Sequence, residues 1–341
     1  MHRLESVSLS EIPEIGEAAR ELGSSHATET DLAEAVFQRI FNGQTGYTRA
    51  LLDRLFSAKP VSPLNHKGSI LVRQFQDADD RMCATKTNVD LAIRDGITFV
   101  SKRLVKDGKN SIEDIIREIT VLDFLKNKET AAPELYEASY HADLDAPPET
   151  YYLNTEFIPG FVLSHLEKFY ANCDEKLPEH FFNDIAFLWL HALDNIHSHS
   201  VVQSDTRLRN IVLQEDGRVR IIDFGNGRFL DQNVAAGLPH LHRAKILQPV
   251  FPDKCLEHEA SCLRDGLSQF HRKCVASDFR YSDHFTAEWV SVEDGLNFFH
   301  QKSSFRETEL YTLRATPPTQ LKMSTSQISA EAKNACSNVP S

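Results

Sequence analysis

Residues Val201 to Gly225 read VVQSDTRLRNIVLQEDGRVRIIDFG. Asp205 and Asn210 stand five positions apart in its polar first half. Two short apolar runs follow, 210–213 and 219–222, on either side of Gln214-Glu215-Asp216-Gly217. Asp-Gly between apolar runs predicts a β-hairpin, because the turn needs positive φ and glycine takes it without steric cost. Asp223 ends the second run, 13 positions after Asn210. The hairpin therefore folds Asp223 back beside Asn210. Their oxygens are the hard ligands that magnesium takes. One ion would join both to a nucleotide, and Asp205 would orient an attacking hydroxyl or accept its proton. Phosphoryl transfer asks mainly for such positioning and charge neutralisation. The alternative is a set of ordinary polar residues at hairpin ends.

Working outward, a helix opened by Pro178 is expected to run to about Ser198, burying Phe182, Ile185, Trp189, Leu193 and Ile196. Upstream, residues 69–75, 82–92 and 97–105 read as strands, separated by the turns Asp77-Ala78-Asp79-Asp80 and Arg94-Asp95-Gly96. Residues 111–126 carry Ile112, Ile115, Ile116, Ile119, Leu122 and Leu125 at helical spacing, with Ser111 as N-cap and Asp114 three positions on. A strand region starts at Pro133, and residues 151–157 form another strand. Residues 58–65, with Pro60, Pro63 and Asn65, read as a linker, preceded over 31–56 by a helical pattern broken near Asn42-Gly43. Helices are expected over 256–271 and 292–300, and a disordered tail after about Arg314.

On these residues the chain resembles the protein-kinase-like superfamily. Asp205-Thr-Arg-Leu-Arg-Asn210 is similar to the catalytic loop D-x-x-x-x-N, and Asp223-Phe224-Gly225 to the D-F-G motif. The resemblance covers about residues 66–275 and implies an α+β, two-lobed fold: an antiparallel-sheet lobe and a helical lobe joined by a hinge. It implies ATP with Mg2+, Mn2+ being the other candidate ion, held by Asn210 and Asp223, with Asp205 as catalytic base. Phe99-Val100-Ser101-Lys102 resembles the V-A-I-K strand, which makes Lys102 the phosphate-binding lysine. Lys106 shares its strand face, and Lys86 is a more remote rival. Glu118 fits the helix acid that steadies such a lysine, with Glu113 as rival. Glu156-Phe157-Ile158-Pro159-Gly160 resembles the hinge, where backbone groups of Glu156 and Ile158 would bind adenine. Arg207, two positions after Asp205, stands where the family's Ser/Thr enzymes have a lysine and would stabilise charge on the transferring phosphate. Arg209 reads as a surface residue.

Three features depart from the pattern. No glycine lies between Gly68 and Gly96, so the turn expected over the phosphates is the acidic 77–80. Gln203-Ser204 replaces the usual His-Arg before Asp205, and no Ala-Pro-Glu segment follows Gly225, Pro249 and Pro252 matching poorly. The acceptor expected is a Ser/Thr hydroxyl on a protein. The alternatives are a small-molecule kinase, an AMP transferase, and a pseudokinase that binds nucleotide without turnover.

The bulk numbers agree with this reading. With 341 residues the chain has room for a two-lobed unit and extensions, taking about 100–200 residues per domain. The division expected is 1–65 as a helical extension, 66–160 as first lobe and hinge, 161–313 as second lobe, and 314–341 as tail. A net charge of −12 argues against nucleic-acid and anionic-membrane partners. Six scattered cysteines indicate a reducing compartment, hence the cytoplasm, and no apolar run suggests a membrane span or signal peptide. Export by another route, as for a bacterial effector, is compatible with this. Cys255-x-x-His258 and His271-x-x-Cys274 have zinc-type ligands, but a continuous helix over them would hold Cys255 and Cys274 about 28 Å apart. Buried helix cysteines are the preferred reading. His197 and His199 read as capping or surface residues.

Overall fold

The computed structural model describes residues 56–63, 70–75, 88–94, 97–105, 112–141, 150–172, 176–214, 217–231, 252–275 and 291–303. The acidic turn 77–80, Lys86, Lys106, the helical pattern of 31–55 and the tail lie outside these residues. Contacts divide the chain into two units: 1–111 with 135–157, and 112–134 with 158–341.

Among the described residues, the first unit forms one antiparallel sheet of six strands. In chain order they are β1 (Phe56–Pro63), β2 (Ile70–Phe75), β3 (Asn88–Arg94), β4 (Ile97–Val105), β5 (Leu135–His141) and β6 (Thr150–Glu156). Their order in the sheet is β1-β2-β3-β4-β6-β5. Residues 58–63 are thus strand, not the linker expected from Pro60 and Pro63. β1 is an edge strand whose pairing with β2 is interrupted between Ala58 and Ser62. Proline lacks the N–H a central strand must donate, but an edge strand and an irregularity both tolerate it. In β4, Phe99, Ser101 and Leu104 are buried, and Lys102 stands in register with Val89 of β3 and Leu153 of β6.

The second unit contains, among the described residues, α1 (Ile112–Leu125), β7 (Phe161–Val162), α2 (Leu163–Ala171), α3 (Glu179–His197), β8 (Val201–Val202), β9 (Ile211–Leu213), β10 (Val219–Ile221), β11 (Arg228–Phe229), α4 (Pro252–Cys274) and α5 (Val292–His300). α3 is its axis. Phe182, Ile185, Trp189, Leu193 and Ile196 are all buried as expected, and so are Ala186, Phe187, Leu188, Leu190 and Ala192 between them. A helix apolar on most of its circumference is surrounded by its neighbours rather than lying on a surface. Phe182 meets Phe270 of α4 at 6.1 Å and Phe299 of α5 at 6.0 Å between ring centroids. α5 starts on a capping box: Ser291 accepts from the Asp294 N–H, and Asp294 accepts from that of Ser291.

The β9–β10 hairpin forms in the expected place. Leu213 pairs with Val219 and Ile211 with Ile221, and Gly217 takes φ 84° in the turn. β7 adds a third strand against β9. This approach requires Gly160: a Cβ there would sit 2.5 Å from the Leu213 carbonyl oxygen. α4 runs unbroken through Gly266, so Cys255 and Cys274 lie at opposite ends of one helix. Among the described residues no cluster of three His, Cys, Asp or Glu could hold a metal, and no helix is long and apolar enough to cross a membrane.

Candidate active site

The stretch 201–225 builds a knot of hydrogen bonds around Gln203. This side chain is fully buried. Its Nε2 donates to the carbonyls of Asp223 at 2.7 Å and Ile222 at 3.2 Å. Its Oε1 accepts the Asp205 N–H at 2.8 Å. One amide thus ties the backbone of the loop to the end of β10. Glutamine can do this because its carboxamide carries donor and acceptor on one group.

Glu259, on α4, closes the other side. It is 0% exposed, and a buried carboxylate must be compensated by hydrogen bonds or charge. Its Oε1 accepts the N–H groups of Gln203 at 2.9 Å and Ser204 at 2.8 Å. Its Oε2 pairs with Nε2 of His197, at the end of α3. The Thr206 hydroxyl donates to the Glu259 carbonyl at 3.4 Å. Ser204 and Asp223 both hold left-handed φ, 63° and 62°. Such backbone costs about 1–3 kcal/mol per residue and persists only where the surroundings enforce it. Here Glu259 enforces the first and Gln203 the second.

Asp205 and Asn210 meet as the sequence predicts. Asn210 Nδ2 donates to the Asp205 carbonyl at 2.8 Å and to Asp205 Oδ2 at 3.1 Å. Because a carbonyl only accepts, the Asn210 amide can point only one way, and its Oδ1 is turned from Asp205. The Asn210 carbonyl accepts the Ile222 N–H at 2.8 Å, which puts the residue before Asp223 directly across the hairpin end. Asn210 is buried, whereas Asp223 is exposed. An amide oxygen and an open carboxylate at one hairpin end suit Mg2+, which is bound through one or two protein oxygens together with substrate phosphates rather than by a full protein cage.

Both arginines of the loop contact Asp205. Arg207 Nε lies 2.8 Å from Oδ1, and Arg209 Nη2 lies 3.3 Å from Oδ2. Their side chains are 64% and 40% exposed, against 11% for Asp205. Arg209 is therefore at the surface, as read, but it is also part of this cluster.

α1 packs against the segment after Asp223. Phe124 meets Phe229 edge-on at 5.1 Å, and Arg117 Nη1 donates to the Gly225 carbonyl at 3.3 Å while pairing with Asp114 at 2.8 Å. Glu118 is buried, in the stripe of Ile115, Leu122 and Leu125. A Cβ built on Gly225 would come within 3.7 Å of its Oε2. Lys102 and Glu156 lie half-buried on β4 and β6 of the first unit, and Ile158 is buried in the second.

The family model described as protein kinase domain matches residues 86–247. Over those residues the chain is similar to the protein-kinase-like superfamily. The kinase-like chain is 29% identical over 137 residues to a cyclin-dependent kinase 4 homolog of Caenorhabditis elegans, covering 39% of this chain and 33% of that protein. It is 33% identical over 105 residues to a probable serine/threonine-protein kinase KIN1 homolog of Encephalitozoon cuniculi, covering 30% and 18%. With mouse myosin-IIIb it shares 26% over 151 residues, covering 43% and 11%. The matches thus span a third or less of each relative's length.

Sequence reasoning missed three residues of this kinase-like site. Gln203 stood out only as a departure from His-Arg. His197 was expected to cap or to face solvent, and instead it pairs with a buried acid; His199, whose Nδ1 meets the Asn195 carbonyl at 2.9 Å, does cap the helix end. Glu259 lies 54 positions after Asp205 in a helix with several exposed acids, and nothing in that helix marks it as the buried one.

Proposed function

We propose that the chain is an ATP- and Mg2+-dependent phosphotransferase acting on Ser/Thr hydroxyls of a protein. The observation that supports this best is the link made by Gln203: it joins the Asp205 N–H to the Asp223 carbonyl while Asn210 reaches the Asp205 carboxylate. Three polar side chains are thereby held at one hairpin end, one of them, Asp223, on left-handed backbone that costs energy. Asp205 orients the acceptor hydroxyl and takes its proton. Asn210 Oδ1 and the Asp223 carboxylate would hold the metal, which would supply neutralisation of phosphate charge. Arg207 stabilises charge on the transferring group. By the family resemblance Lys102 is the phosphate-binding cation, Glu118 is the helix acid, and the backbone at Glu156 and Ile158 takes adenine. The relatives named for serine/threonine kinase activity support the choice of acceptor. The cytoplasm is the compartment that fits the cysteine usage.

The test follows transfer from γ-labelled ATP with Mg2+. Asp205→Ala is expected to lower turnover by about 10²–10⁴-fold, the usual contribution of a positioned base. Equal turnover in wild type and variant would overturn the assignment. With Asp223→Ala, the thermal stabilisation by MgATP is expected to vanish.

A nucleotide-binding scaffold is the second reading. It is favoured by Asp205 itself, whose two carboxylate oxygens are both engaged by arginine. MgATP stabilisation without any label transfer would support it.

A further inference from the structure

We infer that Arg117 of α1 is a positioning residue for Asp223, acting through the Gly225 carbonyl. The inference rests on the reading of Asp223 as a metal ligand, and it adds the group that keeps that carboxylate in place. The carbonyls from Ile222 to Gly225 all have partners. Gln203 Nε2 donates to those of Ile222 and Asp223, and the Gly227 N–H donates to that of Phe224 at 2.8 Å. Arg117 Nη1 donates to that of Gly225 at 3.3 Å, reaching in from α1. A Cβ on Gly225 would lie 3.5 Å from Asp223 Oδ1, so the carboxylate lies beside the peptide that Arg117 holds. Asp223 keeps a left-handed φ of 62°, a state that persists only while its surroundings enforce it. Gln203 fixes the peptide at Asp223, buried Phe224 fixes the middle, and Arg117 fixes the far end. Without that last bond Gly225, which has no Cβ to restrict it, can rotate, and the carboxylate beside it moves as well.

Packing alone does not account for a guanidinium here. α1 already meets this segment through Val121, whose methyl carbons would lie 3.3 and 3.4 Å from a Cβ on Gly227, and through Phe124 on Phe229. The Arg117 side chain is only 13% exposed, and its Nε is buried with no hydrogen-bond partner among the described residues. An unpaired buried donor is unfavourable, so an apolar side chain would pack there at lower cost. What the guanidinium supplies is Nη1, whose two hydrogens serve Asp114 at 2.8 Å and the Gly225 carbonyl together. Asp114, three positions earlier on α1, thereby aims it. Mg2+ demands near-ideal octahedral geometry and short bonds, so a ligand carboxylate that shifts loses metal affinity.

The test measures binding of a fluorescent ATP analogue to the full chain by anisotropy, in excess Mg2+ and in EDTA. The ratio of the two affinities cancels the direct nucleotide contacts and reads the metal bridge. Wild type is expected to bind more tightly with Mg2+. Arg117→Met, which keeps the stem, is expected to cut that gain about tenfold, or to abolish a smaller one, as outer partners of metal ligands commonly do. Its affinity in EDTA should match wild type. Val121→Ala loosens the same contact without touching the carbonyl bond; it should melt lower and keep the wild-type ratio. The inference is overturned by a wild-type ratio in Arg117→Met, by an equal loss of affinity in Mg2+ and EDTA, or by the same loss of ratio in Val121→Ala. A wild type that gains nothing from Mg2+ sinks the metal role of Asp223 and this inference with it. Label transfer is measured separately. An Arg117-dependent gain without any transfer leaves this inference standing and sinks only the catalytic reading.

Discussion

At the scale of single residues, Gln203 is where a small change should have the largest effect. Gln203→Ala leaves the Asp205 N–H and the Asp223 carbonyl without their partner in a part-buried setting. Leaving buried polar groups unpaired costs about 1–3 kcal/mol, so the denaturation midpoint should fall while secondary structure by circular dichroism is kept. Turnover should fall further than stability, because Asp205 and Asp223 lose their common tether. Cys274 makes a different point. Burial and the neighbouring Glu167 push its thiol up to about 12, and it is fully covered. Alkylation of the native protein followed by mass spectrometry should therefore mark Cys255 and Cys262 before Cys274, which reacts only on unfolding. From sequence these three cysteines look alike; their difference is set by what packs around each.

At the scale of elements, α4 supports the loop through Glu259. Glu259→Ala strands His197 and two backbone N–H groups and empties a buried volume, a change expected to cost about 3–5 kcal/mol. Glu259→Gln keeps the size and one acceptor and should cost less, and urea midpoints of the two variants rank them. Phe182→Ala tests the other side of α4, where the ring packs on Phe270 and Phe299; about 3–5 kcal/mol is expected for removing so buried an aromatic. Elements were the most legible level of the sequence. β4 and α5 fall where the pattern put them, and α1, α3 and the β9–β10 hairpin agree within a residue or two. Each has a strong local signal: a complete apolar stripe, a cap, or an Asp-Gly turn. β1 was illegible because its prolines carry a linker signal, and only pairing with β2 makes those residues a strand.

At the scale of the whole molecule, the Cys274 thiol couples stability to pH. An unfolded thiol ionises near 9, while the folded one stays protonated to about 12. The folded-state value is the higher one. Its contribution is therefore complete below pH 9 and is lost as pH rises from about 9 to 12, because the unfolded chain alone releases the proton. Urea midpoints measured across that range should fall more steeply in wild type than in Cys274→Ala, the difference removing the lysines and tyrosines that titrate in both. The division into units also belongs to this scale. α1 reads from sequence as an amphipathic helix after a sheet, and nothing local says which neighbours it takes. Its contacts group it with the second unit, through Phe124 on Phe229 and Arg117 on the Gly225 carbonyl.

The sequence alone determined the features that repeat over short distances: strand and helix periods, the Asp-Gly turn, and the spacing that returns Asp223 toward Asn210. These are local, because backbone geometry converts spacing directly into position. Only the tertiary structure decided what stabilises that arrangement. Gln203, Glu259 and His197 come from the loop, α4 and α3, and their bonds exist only once those segments are packed together. Burial then makes each of them matter, since a carboxylate or amide shielded from water must find its partners within the protein.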